Sequence, residues 1–163
     1  MFKMKFQKFE YKTDAHRQEE HNIAYSLLDE LLKEIGILEY EIIKNENGKP
    51  FLKDNSTFFS ISHTDGFCAV CINDTPVGID CEKIDHSYSK KTEKLARRYF
   101  CKNEIELLEK CNFDVLSFFK IWTAKEAIIK KHGYNASYLE KIDTTKQELT
   151  TLIEDDYIIT IFK

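Results

Sequence analysis

The segment that decides the fold reads Val77-Gly78-Ile79-Asp80-Cys81-Glu82, in which apolar and acidic residues alternate as they do in a β-strand. Successive side chains of a strand point to opposite faces, so the apolar residues are predicted to face a core and Asp80 and Glu82 to share the other face. Two carboxylates placed in this way repel each other unless a cation lies between them. Paired oxygen ligands of this kind suit a hard divalent ion such as Mg²⁺. The alternative is an ordinary solvated strand face that carries two acids.

A helix is predicted over residues 114–132, ended by Gly133. Its apolar pairs at 118/119, 121/122 and 128/129 recur at helical spacing, but Lys125 and Glu126 take the place of another such pair. A carboxylate on an apolar stripe is costly unless it is paired or coordinates a metal. An ion pair between Glu126 and Lys130, one turn apart, is the alternative, although it does not explain why charges interrupt the stripe. Glu126 is therefore a further candidate for cation binding.

The rest of the chain predicts an α+β fold, in which helices pack on antiparallel sheet. The turn residues at 63–66 and 73–76 separate three strand-like segments, which predicts an antiparallel meander over residues 57–82. The other predicted strands are residues 2–11, 40–44, 147–153 and 157–162, and the other predicted helices are residues 14–35, 89–100 and 102–109.

Two further segments carry polar residues suited to phosphate binding. Phe59-Ser60-Ile61-Ser62-His63-Thr64 is a strand that ends in a histidine flanked by hydroxyls, and a protonated histidine suits a phosphate. The alternative is a turn with a hydroxyl-capped backbone. In Gly48-Lys49-Pro50 the lysine follows a tight turn and precedes a proline, although a surface lysine after a turn is common.

Composition limits the function classes. The chain has 163 residues, enough for one domain or two small lobes, and its formal net charge is −4. This mild acidity argues against nucleic-acid binding, which usually needs a basic excess. No apolar run approaches the ~20 residues that cross a bilayer, and the start of the chain does not resemble a signal peptide, so no membrane association is predicted. The five cysteines, an odd number, predict reduced thiols in the cytoplasm. Cys68 and Cys71 have zinc-knuckle spacing but lie on a predicted strand, where packing is the favoured interpretation.

Taken in order, the segments Gly-Lys-Pro, Ser-Ile-Ser-His-Thr, Gly-Ile-Asp-Cys-Glu and Trp-Thr-Ala-Lys-Glu-Ala-Ile-Ile-Lys resemble the 4′-phosphopantetheinyl transferase superfamily. The resemblance covers residues 48–133, and Phe100-Cys101-Lys102-Asn103-Glu104 looks like the family's Phe-x-x-x-Glu segment. In the short, trimeric holo-acyl-carrier-protein synthases the metal-binding aspartate lies near the N-terminus, whereas 79 residues precede Asp80. The layout therefore resembles the Sfp-type branch, of which this chain looks like a short member.

The resemblance implies a pseudo-dimer of two small lobes, approximately residues 1–76 and 77–163, with the site between them and no need for a second chain. It implies transfer of the 4′-phosphopantetheine group of coenzyme A to a serine hydroxyl of an acyl or peptidyl carrier protein, with Mg²⁺ and with release of adenosine 3′,5′-bisphosphate. The implied metal ligands are Asp80, Glu82 and Glu126. The implied coenzyme A contacts are Lys49, Ser62, His63, Lys125 and Lys130, and the implied catalytic residues are Glu126, Lys130 and Glu104. Either Glu126 or a metal-bound hydroxide would accept the serine proton.

Two other functions use the same residues. A metal-dependent phosphohydrolase or nuclease would need a basic groove with interleaved aromatic residues, which the scattered lysines do not predict. A non-catalytic carrier-protein or cation-binding module would retain only part of the site, whereas all three acids and both lysines of the motifs are present. The chain also looks shorter than most Sfp-type proteins at the N-terminal arm. Candidates for the coenzyme A 3′-phosphate there are His16, Arg17 and His21.

Overall fold

The structure, a computed structural model, describes residues 1–54 and 56–163. Within these ranges helices and strands divide into an N-terminal part rich in strands and a C-terminal part rich in helices. The strands are β1 (Phe2–Lys8), β2 (Ile42–Lys44), β3 (Pro50–Leu52), β4 (Phe58–Thr64), β5 (Phe67–Asn73), β6 (Gly78–Lys83), β7 (Thr150–Glu154) and β8 (Tyr157–Phe162). The α-helices are α1 (His16–Lys33), α2 (Thr92–Tyr99), α3 (Lys102–Lys110) and α4 (Val115–His132), and short 3₁₀ turns cover His86–Lys90, Ala136–Lys141 and Thr144–Lys146.

The strands form two three-stranded antiparallel sheets and one small hairpin. The first sheet has the order β1-β5-β4 and packs against α1, whose Leu28, Leu31 and Leu32 are fully buried. The second has the order β6-β8-β7, and β2 pairs with β3. Helices packed on antiparallel sheets confirm the predicted α+β fold. The pseudo-dimer relation between the two lobes stays a prediction.

The predicted meander is correct for one hairpin only. β4 and β5 pair as expected, but β6 pairs with β8 rather than with β5. The strand β3 was not predicted, because its proline lacks a backbone N–H and indicated a stiffened loop. The alternation in β6 is confirmed: Val77, Ile79 and Cys81 lie in a buried core that both sheets share, whereas Asp80 and Glu82 face the other way.

Two serine hydroxyls of β4 join the sheets. The Ser60 Oγ accepts a hydrogen bond from the backbone N–H of Ile79 at 3.0 Å, and the Ser62 Oγ accepts one from the N–H of Cys81 at 3.1 Å. The residue numbers increase together along the two strands, so β4 and β6 run parallel. Here the serine hydroxyls accept the hydrogen bonds that carbonyl oxygens accept within a sheet. We call this contact of Ser60 and Ser62 with Ile79 and Cys81 the seam between β4 and β6. This seam brings Ser62 next to Asp80.

The helix α4 lies directly on β6. A Cβ added to Gly78 would lie only 1.9 Å from the carbonyl oxygen of Ala127, so the strand and the helix meet at backbone distance. The helix begins after Asp114, whose carboxylate accepts from the Ser117 N–H at 3.0 Å, and it ends at Gly133, where φ is 68°. Both ends are as predicted. No helix among the described residues is long and apolar enough to cross a membrane.

Candidate active site

The seam between β4 and β6 and one stripe of α4 enclose a cavity of about 370 Å³. Residues four apart lie on one face of a helix, which is why α4 presents three residues at this spacing to the cavity. The lining residues are Ile61, Ser62 and His63 from β4, Asp80 and Glu82 from β6, and Trp122, Glu126 and Lys130 from α4. The structure thus brings the three predicted metal-binding acids to one place.

Asp80 lies at the buried end of the cavity and is 4% exposed. Its Oδ1 accepts from the Ser62 hydroxyl at 2.9 Å and from the Lys130 ammonium at 2.7 Å. Its Oδ2 is buried and has no hydrogen-bond donor among the described residues. A buried carboxylate oxygen without a partner is costly, so this atom is suited to an additional ligand that carries positive charge.

The cavity holds three acidic side chains and one ammonium. Burial and the charge of Asp80 raise the pKa of Glu82 to about 7, and the same two causes raise the pKa of Glu126. For Lys130, burial opposes the charged form, but the carboxylate of Asp80 outweighs it and raises the pKa of the ammonium. A positive charge placed among the three acids would favour their ionised forms, so the set fits a hard cation with oxygen ligands.

Asp80, Glu82 and Glu126 line one cavity, but their carboxylate oxygens do not converge on one point. In the described part of the chain, Asp80, Glu82 and Glu126 do not form a group whose ligand oxygens all lie within 4.8 Å of one another. Neighbouring carboxylates repel one another, which favours some separation of their oxygens. Such closeness does occur among Cys101, Glu104 and Asp143, whose carboxylates already have hydrogen-bonding partners.

Ser62 and Lys130 support Asp80. The Ser62 hydroxyl donates to Asp80 and accepts from Cys81 N–H and from Lys130 Nζ at 2.8 Å, which uses its one donor and both acceptor positions. These contacts make Ser62 a support for Asp80, and its predicted contact with coenzyme A stays a prediction. Lys130 has three donor hydrogens and two partners here, so one hydrogen stays available to a phosphate oxygen.

The structure does not place Lys125 and Glu104 at the cavity, contrary to the contacts that the motifs implied. Both side chains are 0% exposed and form an internal ion pair, with 2.7 Å between Lys125 Nζ and Glu104 Oε2. The ammonium also donates to the carbonyl oxygens of Leu139 and Ile142. Because Lys125 and Glu126 are adjacent, they point about 100° apart around the helix, and only Glu126 faces the cavity.

Lys49 lies beside the cavity and holds the end of α4. Its ammonium donates to the carbonyl oxygen of Lys131 at 2.7 Å, and the Asn47 side-chain amide donates to the carbonyl oxygen of Gly133 at 2.9 Å. Burial lowers the pKa of Lys49. The lysine lines a second cavity, of about 240 Å³, which shares Ile61 and Lys130 with the first. Sequence reasoning did not anticipate this helix-capping contact.

A third cavity adjoins the first on its other side. It has about 310 Å³, and its apolar wall is formed by Tyr88, Leu95, Phe118, Phe119 and Trp122. Trp122 and Glu82 belong to both cavities. Neighbouring cavities thus share lining residues, with the acidic centre in the middle, the cavity beside Lys49 on one side and the cavity with the larger aromatic wall on the other.

His63 lines the central cavity, and sequence reasoning missed its partner. The Nδ1 of His63 lies 3.1 Å from the Glu20 Oε2, and Glu20 is 9% exposed. A signal was available: Glu20 lies four residues before Ala24, at a position where the apolar spacing of α1 calls for another apolar residue.

Comparison with known proteins assigns the class. The family model of the 4′-phosphopantetheinyl transferase superfamily matches residues 76–159, which include β6, the four helical segments up to α4 and the first half of β8. The chain belongs to this superfamily, as its motifs predicted.

Several curated relatives are similar over most of the chain. The 4′-phosphopantetheinyl transferase gsp of Aneurinibacillus migulanus is 38% identical over 128 residues, which are 69% of this chain and 52% of that protein. The enzyme psf-1 of Bacillus pumilus is 31% identical over 81% of this chain and 56% of its own length. The enzyme Sfp of Bacillus subtilis (strain 168) is 30% identical over 82% of this chain and 59% of its own length. These matches support the Sfp-type assignment. The matched regions span only between half and three fifths of the relatives' length.

Proposed function

We propose that this chain transfers the 4′-phosphopantetheine group of coenzyme A to a serine hydroxyl of an acyl or peptidyl carrier protein, in a reaction that depends on Mg²⁺. Membership of the superfamily and the names of the relatives support this reaction class. The observation that carries the proposal is the buried Asp80 Oδ2, which lacks a donor among the described residues in a cavity shared with Glu82, Glu126 and Lys130.

The bond changes balance without a further reactant. The serine Oγ forms a bond to the phosphorus atom that bears the pantetheine group. The bond from that phosphorus to the oxygen bridging toward adenosine breaks, and adenosine 3′,5′-bisphosphate leaves. We assign the serine proton to the Glu126 carboxylate, and we assign the unpartnered hydrogen of Lys130 to an oxygen of the diphosphate.

Asp80, Glu82 and Glu126 would hold the Mg²⁺ ion. When bound, the ion would neutralise charge on the diphosphate oxygens as the leaving phosphate separates. Ser62 and Lys130 would keep the Asp80 carboxylate oriented through its Oδ1, so that Oδ2 stays available.

We assign the cavity beside Lys49 to the nucleotide end of coenzyme A, because it joins the acidic centre at Lys130 and carries a second lysine. The aromatic cavity on the other side would then receive the pantetheine arm and the serine of the carrier protein. We further propose that the protein acts as a monomer in the cytoplasm. All the proposed ligands belong to one chain, which supports a monomer, and all five cysteines are free thiols, which supports a reducing compartment.

The test is mass spectrometry of carrier proteins. Apo carrier proteins from fatty-acid, polyketide and non-ribosomal peptide synthesis are incubated with the protein, coenzyme A and Mg²⁺. At least one carrier is expected to gain the mass of one phosphopantetheine group. Asp80→Asn should abolish the gain, while Asp29→Asn, which alters an exposed ion pair with Lys33, should not. A folded protein that modifies none of the carriers would refute the proposal.

A further inference from the structure

Three side chains outside the acidic centre form a chain of polar contacts that ends at the cavity. The Tyr11 hydroxyl donates to Glu20 Oε1 at 2.5 Å, and Glu20 Oε2 lies 3.1 Å from the Nδ1 of His63. Tyr11 precedes α1, Glu20 belongs to α1 and His63 belongs to β4, so the chain links the helix to the strand that forms the seam.

The Glu20 carboxylate is held firmly. Its side chain is 12% exposed, so each of its oxygens needs a partner, and each has one. The Tyr11 ring stacks on His16 with 3.8 Å between ring centroids, and its hydroxyl accepts from the Gly66 N–H at 3.2 Å. Burial and the bond to Glu20 raise the pKa of Tyr11 to about 12, so the phenol keeps its hydrogen and donates it.

The carboxylate fixes which side of the imidazole faces the cavity. Glu20 does not line the cavity, whereas His63 does. The Nδ1 therefore points toward the interior of the first lobe, and the Nε2 on the opposite side of the ring is left for a ligand. Within residues 1–54 and 56–163, the carboxylate that lies within 4.0 Å of the imidazole contacts it at Nδ1.

On the basis of the transferase function proposed above, we propose that Glu20 is a positioning residue, which holds the hydrogen of His63 on Nδ1 and so directs Nε2 toward a phosphate group of coenzyme A. When a phosphate oxygen reaches Nε2, the protonated ring donates from both nitrogens, to the carboxylate on one side and to the phosphate on the other. Tyr11 holds the carboxylate in the orientation that this requires.

The variant Glu20→Gln gives a specific expectation for the ligand-free protein. Because Tyr11 donates to Oε1, the amide oxygen should occupy that position and the amide N–H₂ should face Nδ1. The amide then donates to Nδ1, and the neutral ring must carry its hydrogen on Nε2 instead. Nitrogen-15 NMR of the His63 ring is expected to show hydrogen on Nδ1 in the wild type and on Nε2 in Glu20→Gln. A ring whose tautomer is the same in both proteins would overturn the assignment of Glu20.

The same variant gives an expectation for ligand binding, measured by isothermal titration calorimetry with coenzyme A alone. Glu20→Gln should weaken binding about tenfold, because a charge-assisted hydrogen bond is replaced by a neutral one. His63→Gln should weaken binding at least as much, and the double variant should be no weaker than His63→Gln. Glu30→Gln, an exposed position on the same helix, is the control and should bind as the wild type does.

The phosphate is identified with 3′-dephospho-coenzyme A. If the difference in affinity between wild type and Glu20→Gln disappears with this compound, the contact is with the 3′-phosphate. If the difference in affinity persists, the contact is with the diphosphate. Both results support the proposal.

If Glu20→Gln does not fold, Tyr11→Phe, which removes only the hydroxyl, should weaken binding by about twofold or more. Unchanged affinity in the folded variants would overturn the role of Glu20. A wild-type protein that binds no coenzyme A would overturn the proposed function and the phosphate contact, while the tautomer would still report on Glu20.

Discussion

Lys125→Met tests whether this lysine of α4 belongs to the protein interior. The ammonium forms an ion pair with Glu104 Oε2 at 2.7 Å and donates to the carbonyl oxygens of Leu139 and Ile142 at 2.7 and 2.6 Å, and no part of the side chain is exposed. Methionine has a similar length and no charge. The substitution therefore leaves the buried Glu104 carboxylate without its counter-ion.

The expected loss of stability is large. Removing one partner of a buried ion pair costs about 3–5 kcal/mol. For a domain of this size, 1 kcal/mol corresponds to about 2–4 °C in Tm, so the fall should be roughly 6–20 °C. Glu104→Gln added to Lys125→Met removes the uncompensated charge while retaining an acceptor oxygen for the Thr144 N–H, so the double variant should regain part of the loss.

Thermal and urea unfolding, followed by circular dichroism, measure these differences. Lys120→Met is the matched control, because Lys120 lies on the same helix and is exposed. If Lys125→Met unfolded at the same temperature as Lys120→Met but bound coenzyme A more weakly, then Lys125 would face the ligand and its placement in the interior would be wrong.

Three further expectations concern packing and burial. Gly78→Ala should destabilise the fold severely, because its Cβ would collide with the Ala127 carbonyl oxygen; a wild-type Tm would argue against the close approach of α4 and β6. Lys49→Met should lower the free energy of unfolding in urea by about 1.5–3 kcal/mol, because the charged hydrogen bond to the Lys131 carbonyl oxygen is lost. An unchanged free energy of unfolding would show that this contact does not form in solution. Between pH 7 and 9, iodoacetamide should label only two of the five cysteines of the native protein, as read by peptide mass spectrometry. Burial raises the pKa of the other three thiols to about 12, which leaves a thiolate fraction of about 10⁻³ at pH 9; labelling of all five before unfolding would contradict their burial. The protected cysteines are Cys68, Cys71 and Cys81, and the reactive ones are Cys101 and Cys111.

The helix α4 shows which features local sequence spacing can predict and which it cannot. Its bounds follow from capping chemistry at Asp114 and Gly133, which involves only neighbouring residues. A helical wheel also gives the angle between Lys125 and Glu126, but it does not say which neighbour lies on each side of the helix. The 3₁₀ turn at Ala136–Lys141 supplies the carbonyl oxygen of Leu139 that Lys125 contacts, and that turn is specified by residues beyond the helix.

The seam between β4 and β6 could not be predicted from local sequence, because it depends on residues that are distant along the chain. The turn residues between β5 and β6 are typical of a hairpin, yet β6 pairs with β8, far along the chain. Alternation predicts which residues of a strand share a face, but not which strand lies beside it. The hydroxyls of Ser60 and Ser62 act as backbone acceptors only because the sheets meet there. The acids of the site were predictable because each interrupts or alternates with an apolar pattern.

The claim that three acids share one divalent cation is tested most directly by Mn²⁺ binding, measured by electron paramagnetic resonance with coenzyme A present. Mn²⁺ accepts the same oxygen ligands as Mg²⁺. The wild-type protein is expected to bind one Mn²⁺ per chain, displaceable by Mg²⁺, and Glu82→Gln and Glu126→Gln should each weaken binding by about tenfold or more. Glu30→Gln, at an exposed position, should leave the affinity unchanged. Equal affinity in all four proteins would mean that the carboxylates of β6 and α4 do not hold a common ion.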